Sequence, residues 1–185
     1  MKYRVCDAVT FDGMFSELEC QDIIALGKGA SMEKAKLQHS DGNWKVGRGR
    51  NCSLTWISKE TPGVSWLFQR FGYTFNKIND ENYGFRLRMP IALQFTEYKM
   101  FQNYDWHFDN GAEGDVRLLA CVVNLKNALL GGGTDIKANN WVNGTNAYNV
   151  GAGTFFPCYL LHRAKKVLLG SRYSLVGWAT SWGDK

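Results

Sequence analysis

Between residues 91 and 180 the chain reads as a run of short strands with no helical stretch between them, and this limits the possible folds most. Segments 91–100, 116–125, 154–156, 162–168 and 173–180 are rich in β-branched and aromatic residues, as are 51–57 and 85–89 upstream. Gly131-Gly132-Gly133 and Asn143-Gly144 mark turns, and the polar, asparagine-rich stretch 137–149 reads as a loop. Helical patterns are confined to the N-terminal part. Ser16-Glu17-Leu18-Glu19 is a capping box, and Cys20, Ile23, Ile24 and Leu26 give the following helix, about 17–27, an apolar face that ends at Gly27 or Gly29. Thr61-Pro62 offers a second helix start, after which Val64, Leu67, Phe68, Phe71, Phe75 and Ile78 recur at helical spacing. Many strands with helices gathered at one end predict an α+β, mainly β fold, a double-sheet jelly roll with its N-terminal helices packed on one sheet. No linker or repeat divides the 185 residues, so one domain is expected, with helical support over about 1–90 and a β core over about 91–180.

Composition excludes several classes. With 45% hydrophobic residues and 11 Phe, 7 Trp and 8 Tyr, the chain can bury a substantial core and is not disordered. A formal charge of +5 with no basic run longer than Lys165-Lys166 argues against a dedicated nucleic-acid binder, though it eases acceptance of an anionic substrate. Cys6, Cys20, Cys52, Cys121 and Cys158 are odd in number and widely spaced, which favours reduced thiols and a cytoplasmic setting. No window resembles a signal peptide or a membrane span, so a protein with no membrane partner is expected.

The chemistry resides in His107-Phe108-Asp109, His162 and Arg172. On a strand, residues i and i+2 face the same way, so His107 and Asp109 can converge on one ion, with His162 arriving from a distant strand. Two imidazoles and one carboxylate on one face of a metal form the triad of non-haem Fe(II) oxygenases, leaving other positions open for a co-substrate and O2. Arg172, Ser174, Val176 and Trp178 share a strand face. A guanidinium inside a barrel needs an anion, and the distal carboxylate of 2-oxoglutarate would serve, supported by the Ser174 hydroxyl, with Trp178 walling the pocket.

Tyr98, Tyr104-Asp-Trp-His107-Phe-Asp109, Arg117-Leu-Leu, Gly132-Gly133, Phe156-Pro157, His162 and Gly170-Ser-Arg172-Tyr-Ser-Leu-Val-Gly-Trp178 together resemble the prolyl 4-hydroxylase-like branch of the 2-oxoglutarate/Fe(II) dioxygenases. The resemblance implies a double-stranded β-helix with His107, Asp109 and His162 on iron, and Arg172 on 2-oxoglutarate. It further implies a hydrogen bond from Tyr98 to the same molecule, and Tyr104 on the substrate side. Where relatives often supply an aromatic hydroxyl to the co-substrate, this chain has Asn124, which can donate instead; where they tend to have proline, it has Lys166. The implied activity is O2-dependent hydroxylation of a prolyl or other side chain of a protein, peptide or amino acid, releasing succinate and CO2, with ascorbate as a reductant. Retention of Asp109 favours hydroxylation over halogenation.

Other readings stay open. Tyr98, Tyr104 and Trp178 are equally readable as packing aromatics, Cys158 as a core thiol and His39 as a surface residue. A nucleic-acid base demethylase would share the iron chemistry, but those relatives usually carry a second arginine shortly after the first, and none follows Arg172. A non-catalytic jelly-roll binding protein would have little reason to keep all three ligands and Arg172. Specificity is expected from loops at 58–63, 101–106 and 137–149, with Trp141 and Tyr148 as an aromatic lid or as plain anchors.

Overall fold

Alternation with a period of two decides what each face of the main sheet touches. The computed structural model describes residues 7–38, 44–45, 49–109, 116–138, 141–145 and 149–181. Among these, an 8-stranded antiparallel sheet runs in the order Val9–Phe11, Gly153–Pro157, Arg117–Lys126, Arg172–Ser181, Ala92–Tyr98, Ser53–Ser58, Glu33–Lys34, with Leu87–Arg88 paired to the end of Arg172–Ser181. A 5-stranded sheet faces it, ordered Trp141–Thr145, Thr134–Ala138, Leu161–Ala164, Asn103–His107, Arg50–Asn51. Two short antiparallel ladders, Leu130–Gly131 with Val167–Leu169 and Leu37–Gln38 with Trp44–Lys45, complete the pairing among the described residues. This is the jelly roll expected from the strand succession.

On the Arg172–Ser181 strand, Tyr173, Leu175 and Ala179 point to the helices, while Val176 and Trp178 point between the sheets. Leu119, Cys121 and Val123 likewise face the helices, and Ala120 faces inward. Burying one apolar row under helices leaves the other row free to build a site. Helix α1 (Glu17–Gly29) starts at the expected capping box, with Glu19 N–H donating to Ser16 Oγ and Ser16 N–H to the Glu19 carboxylate. Helix α2 (Ser65–Ile78) buries Leu67, Phe68, Phe71, Phe75 and Ile78. Two glycines allow close approach: a Cβ on Gly27 would sit 2.4 Å from the Phe95 ring, and one on Gly177 would sit 2.8 Å from Phe71 and Leu93. Gly27 is therefore a packing contact inside α1, and the helix runs on to Gly29.

Several boundaries differ from the sequence expectation. Helix α2 begins four residues after Thr61, because Gly63 takes a left-handed φ of 78° that breaks the turn. The 51–57 segment divides, Arg50–Asn51 joining the smaller sheet and Ser53–Ser58 the larger. The 162–168 segment also divides, into Leu161–Ala164 and Val167–Leu169. Only Leu87–Arg88 of the 85–89 segment is paired. The stretch read as a loop at 101–106 is mostly the Asn103–His107 strand, and 137–149 takes in the end of the Thr134–Ala138 strand and all of its partner Trp141–Thr145. Asn143-Gly144 thus lies inside a strand rather than at a turn. Cross-strand pairing outweighed weak local propensity in both places. His39, Tyr148 and the Trp141 side chain lie outside the described residues.

Candidate metal centre and co-substrate cavity

The smaller sheet brings the two histidines together. His107 ends one strand, and its cross-strand partner in register is His162. Directly opposite residues share a face, and the two imidazole centroids lie 4.1 Å apart. Each ring is held the same way: His107 Nδ1 is 2.7 Å from Asp105 O, and His162 Nδ1 is 2.9 Å from Leu160 O. A carbonyl on Nδ1 fixes the Nδ1–H tautomer and leaves Nε2 as the free electron pair.

Asp109 lies two residues beyond the strand end, so the i, i+2 argument brought it near His107 without describing its setting. The chain turns there, and Asp109 N–H donates to Cys158 O at 3.1 Å. Its Oδ1 stands 3.6 Å from His107 Nε2 and its Oδ2 stands 3.4 Å from His162 Nε2. One ligand atom from each residue lies within 4.8 Å of the others, and Asp109 and His162 are buried. Donors bound at about 2.1 Å at right angles on one ion stand about 3 Å apart, so the trio needs only a small contraction to hold a cation.

The charges suit that use. Burial would raise the Asp109 carboxyl, but His162, His107 and the Trp178 N–H together hold it down at about 2. Burial and the neighbouring His162 press His107 down to about 4. Burial pulls His162 down too, yet its hydrogen bond and charge pairing with Asp109 win and raise it. The difference between the rings follows the shorter contact, 3.4 Å against 3.6 Å.

A cavity of about 530 Å³ opens over the trio, and Arg172, Ser174, Val176 and Trp178 all line it, as does Tyr98. Arg172 is 4% exposed. Its Nη2 donates to Thr134 Oγ1 at 3.0 Å, its Nε has no partner among the described residues, and burial lowers its pKa. Tyr98 is its cross-strand neighbour, with the guanidinium 5.6 Å from the ring centroid. Burial pushes the Tyr98 hydroxyl far up, keeping it a neutral donor. Tyr104 also lines the cavity and stacks on His107 at 3.5 Å. Asn124 is opposite Ser174 in register but is not among the lining residues, and its Nδ2 donates to Asn127 Oδ1 at 2.9 Å. Trp178 does more than wall the pocket: its Nε1–H donates to Asp109 Oδ2 at 2.7 Å. Sequence reasoning missed this bond, and it missed Thr134 and the Phe156 ring 4.7 Å from His162. Thr134 directly follows the triple glycine, the one local signal that could have pointed to it.

A family model described as the 2OG-Fe(II) oxygenase superfamily matches residues 93–180, the strands that bear every one of these groups. The chain belongs to that superfamily. Prolyl 4-hydroxylase 2 of Arabidopsis thaliana is 32% identical over 136 residues, covering 69% of this chain and 42% of that protein. The chain thus spans about two fifths of the length of the curated relatives it matches. Among solved structures, the viral collagen prolyl hydroxylase of Paramecium bursaria Chlorella virus-1 aligns with a TM-score of 0.69 at 21% identity, over 96% of this chain and 99% of that one. A Trichoplax adhaerens prolyl hydroxylase in complex with a hypoxia inducible factor oxygen degradation domain peptide fragment aligns with a TM-score of 0.76 at 15% identity, over 96% and 84%. These likenesses show a shared fold.

The residues of this superfamily member fit the groups that its name implies. Nitrogen and oxygen donors, all on one side and turned into the cavity, suit Fe(II). A buried guanidinium with unused donors suits a carboxylate, since leaving it unmet is costly.

Proposed function

We propose that the chain is a 2-oxoglutarate- and O2-dependent hydroxylase acting on a prolyl or other amino-acid side chain of a peptide or protein. The observation that carries this reading is the sharing of one cavity by a His-Asp-His trio and a buried, under-bonded Arg172. Bound iron would couple O2 activation to decarboxylation of 2-oxoglutarate, giving succinate, CO2 and a hydroxylated product. The chain's own part is placement. His107, His162 and Asp109 hold the ion from one side and leave its cavity side open. Arg172, steadied by Thr134, receives the distal carboxylate of 2-oxoglutarate, with Ser174 and the Tyr98 hydroxyl beside it. Tyr104, Val176 and Trp178 supply apolar wall beside these groups, which strengthens their charged contacts.

A peptide substrate is supported by the relatives, one of which was solved with a peptide fragment bound. Among the described residues no helix is long and apolar enough to cross a membrane. Cys20, Cys52, Cys121 and Cys158 are free and buried, in keeping with a reducing, cytoplasmic setting. Anaerobic addition of Fe(II) and 2-oxoglutarate, followed by visible absorption, tests the reading. A charge-transfer band is expected in the wild type, lost in His162→Ala and weakened in Arg172→Ala. A folded, iron-loaded wild type without the band would overturn it.

A further inference from the structure

Among the described residues the mouth of the cavity is mainly basic. Lys34 and Lys36 line it from the outer strand of the larger sheet and the residues just after it, and Arg50 from the outer strand of the smaller one. Arg117 lines it from the start of the Arg117–Lys126 strand. Arg163 also lines it but is paired with Asp135 at 2.8 Å. Arg172 and Asp109 are committed to co-substrate and metal on the reading above. That leaves Lys34, Lys36, Arg50 and Arg117 without a carboxylate partner among the described residues, against Glu33 alone.

Arg50 is the best placed of the four. Its Nη2 donates to Gln94 Oε1 at 3.0 Å, and its guanidinium lies 4.6 Å from the centroid of the Tyr104 ring. That ring in turn stacks on His107, so Arg50 stands one side chain away from the metal trio. Its Nε is buried with no acceptor among the described residues. A guanidinium gripped from two sides, with a donor unmet, is preorganised for a carboxylate and gains a charge-assisted hydrogen bond when one arrives. One small acid cannot meet cations that stand on the outer strands of both sheets and on a third strand; an extended chain crossing the mouth can.

We infer that the substrate is an acidic polypeptide segment, with Asp or Glu side chains flanking the residue that enters the cavity and one of those carboxylates received by Arg50. This rests on the hydroxylase reading for its location but has its own readout. Protein loaded with Mn(II) and 2-oxoglutarate is titrated into fluorescein-labelled dodecapeptides that share a central proline and differ only in acidic, neutral or basic flanks. The acidic peptide is expected to bind about tenfold more tightly than the neutral one, and added salt should erase the difference. Arg50→Gln and the double variant Lys34→Glu/Lys36→Glu, the latter on exposed side chains, should each lose most of the preference. Arg50→Lys should keep only part of it, because charge remains without the planar fork. Arg88→Gln, exposed and away from the cavity, should keep all of it. Binding that ignores flank charge, or no binding by any peptide, overturns the inference. So does competition by free aspartate or glutamate as strong as that of the acidic peptide. The charge-transfer band of the same preparation with Fe(II) separates the two failures: its absence defeats the iron reading, while its presence beside charge-blind binding defeats only this inference.

Discussion

Trp178 shows how a single hydrogen bond can change the role of a side chain. From the sequence it shares a strand face with Arg172 and Ser174, and a pocket wall is all that parity can say. The structure adds the 2.7 Å bond from its indole N–H to Asp109 Oδ2, while Arg117 lies 4.1 Å over the same ring. One carboxylate oxygen is thereby engaged, and the Asp109 side chain is held in place beside the two histidines with which it would hold the ion. Groups that orient a ligand commonly contribute about 10–100-fold to metal affinity. Trp178→Phe keeps the ring and removes the donor, so it should weaken Mn(II) binding by a factor in that range. Calorimetric titration with Mn(II) would read the loss. It should also move the Fe(II)–2-oxoglutarate absorption band, which a purely packing role would leave in place. The bond was illegible in the sequence because it depends on the chain turning after His107, and neither Phe108 nor Asp109 signals that turn.

Among the elements, helices were the most legible and short strands the least. Helix α1 announces itself by Ser16 and Glu19, because a capping box works through neighbours in sequence. Its second function is non-local: Glu19 also accepts from Arg70 of α2 at 3.0 Å, so the cap ties the two helices that cover the sheet. The Asn103–His107 strand and the 134–145 hairpin gave no comparable signal, since polar residues there are held by partners far along the chain. Ser16→Ala should lower stability by about 1 kcal/mol, read by urea unfolding. The Glu19 carboxyl is held below its usual value, first by the Ser16 N–H and then by Arg70. A lowered folded pKa means stability that is present above the ordinary carboxylate range and lost as pH falls through the lowered value. The melting temperatures of wild type and Glu19→Gln should therefore differ at neutral pH and converge in acid. The side chain is half-buried at the surface and still reached by solvent, so the gap should be small and shrink with salt. A gap constant across pH would show that the carboxylate does not stabilise the cap.

For the molecule as a whole, the site joins two sheets that otherwise meet through side chains. His107 and His162 belong to the smaller sheet, Arg172 and Trp178 to the larger, and Asp109 bridges them through its contacts to His107, His162 and Trp178. Ligands that hold both sheets at once bind only the folded state, so each should stabilise the chain by mass action. At 100 times the dissociation constant the gain is about 2.7 kcal/mol, or a rise of roughly 5–10 °C in melting temperature for a chain of this size. Mn(II) alone and Mn(II) with 2-oxoglutarate should therefore give two successive increments in a thermal melt. Arg172→Ala should keep the first and lose the second, because its guanidinium touches only the co-substrate end of the cavity. His162→Ala should lose both, because the co-substrate needs the ion for its other end. Equal increments in Arg172→Ala and wild type would detach the arginine from the co-substrate and leave its burial beside Thr134 a matter of packing alone.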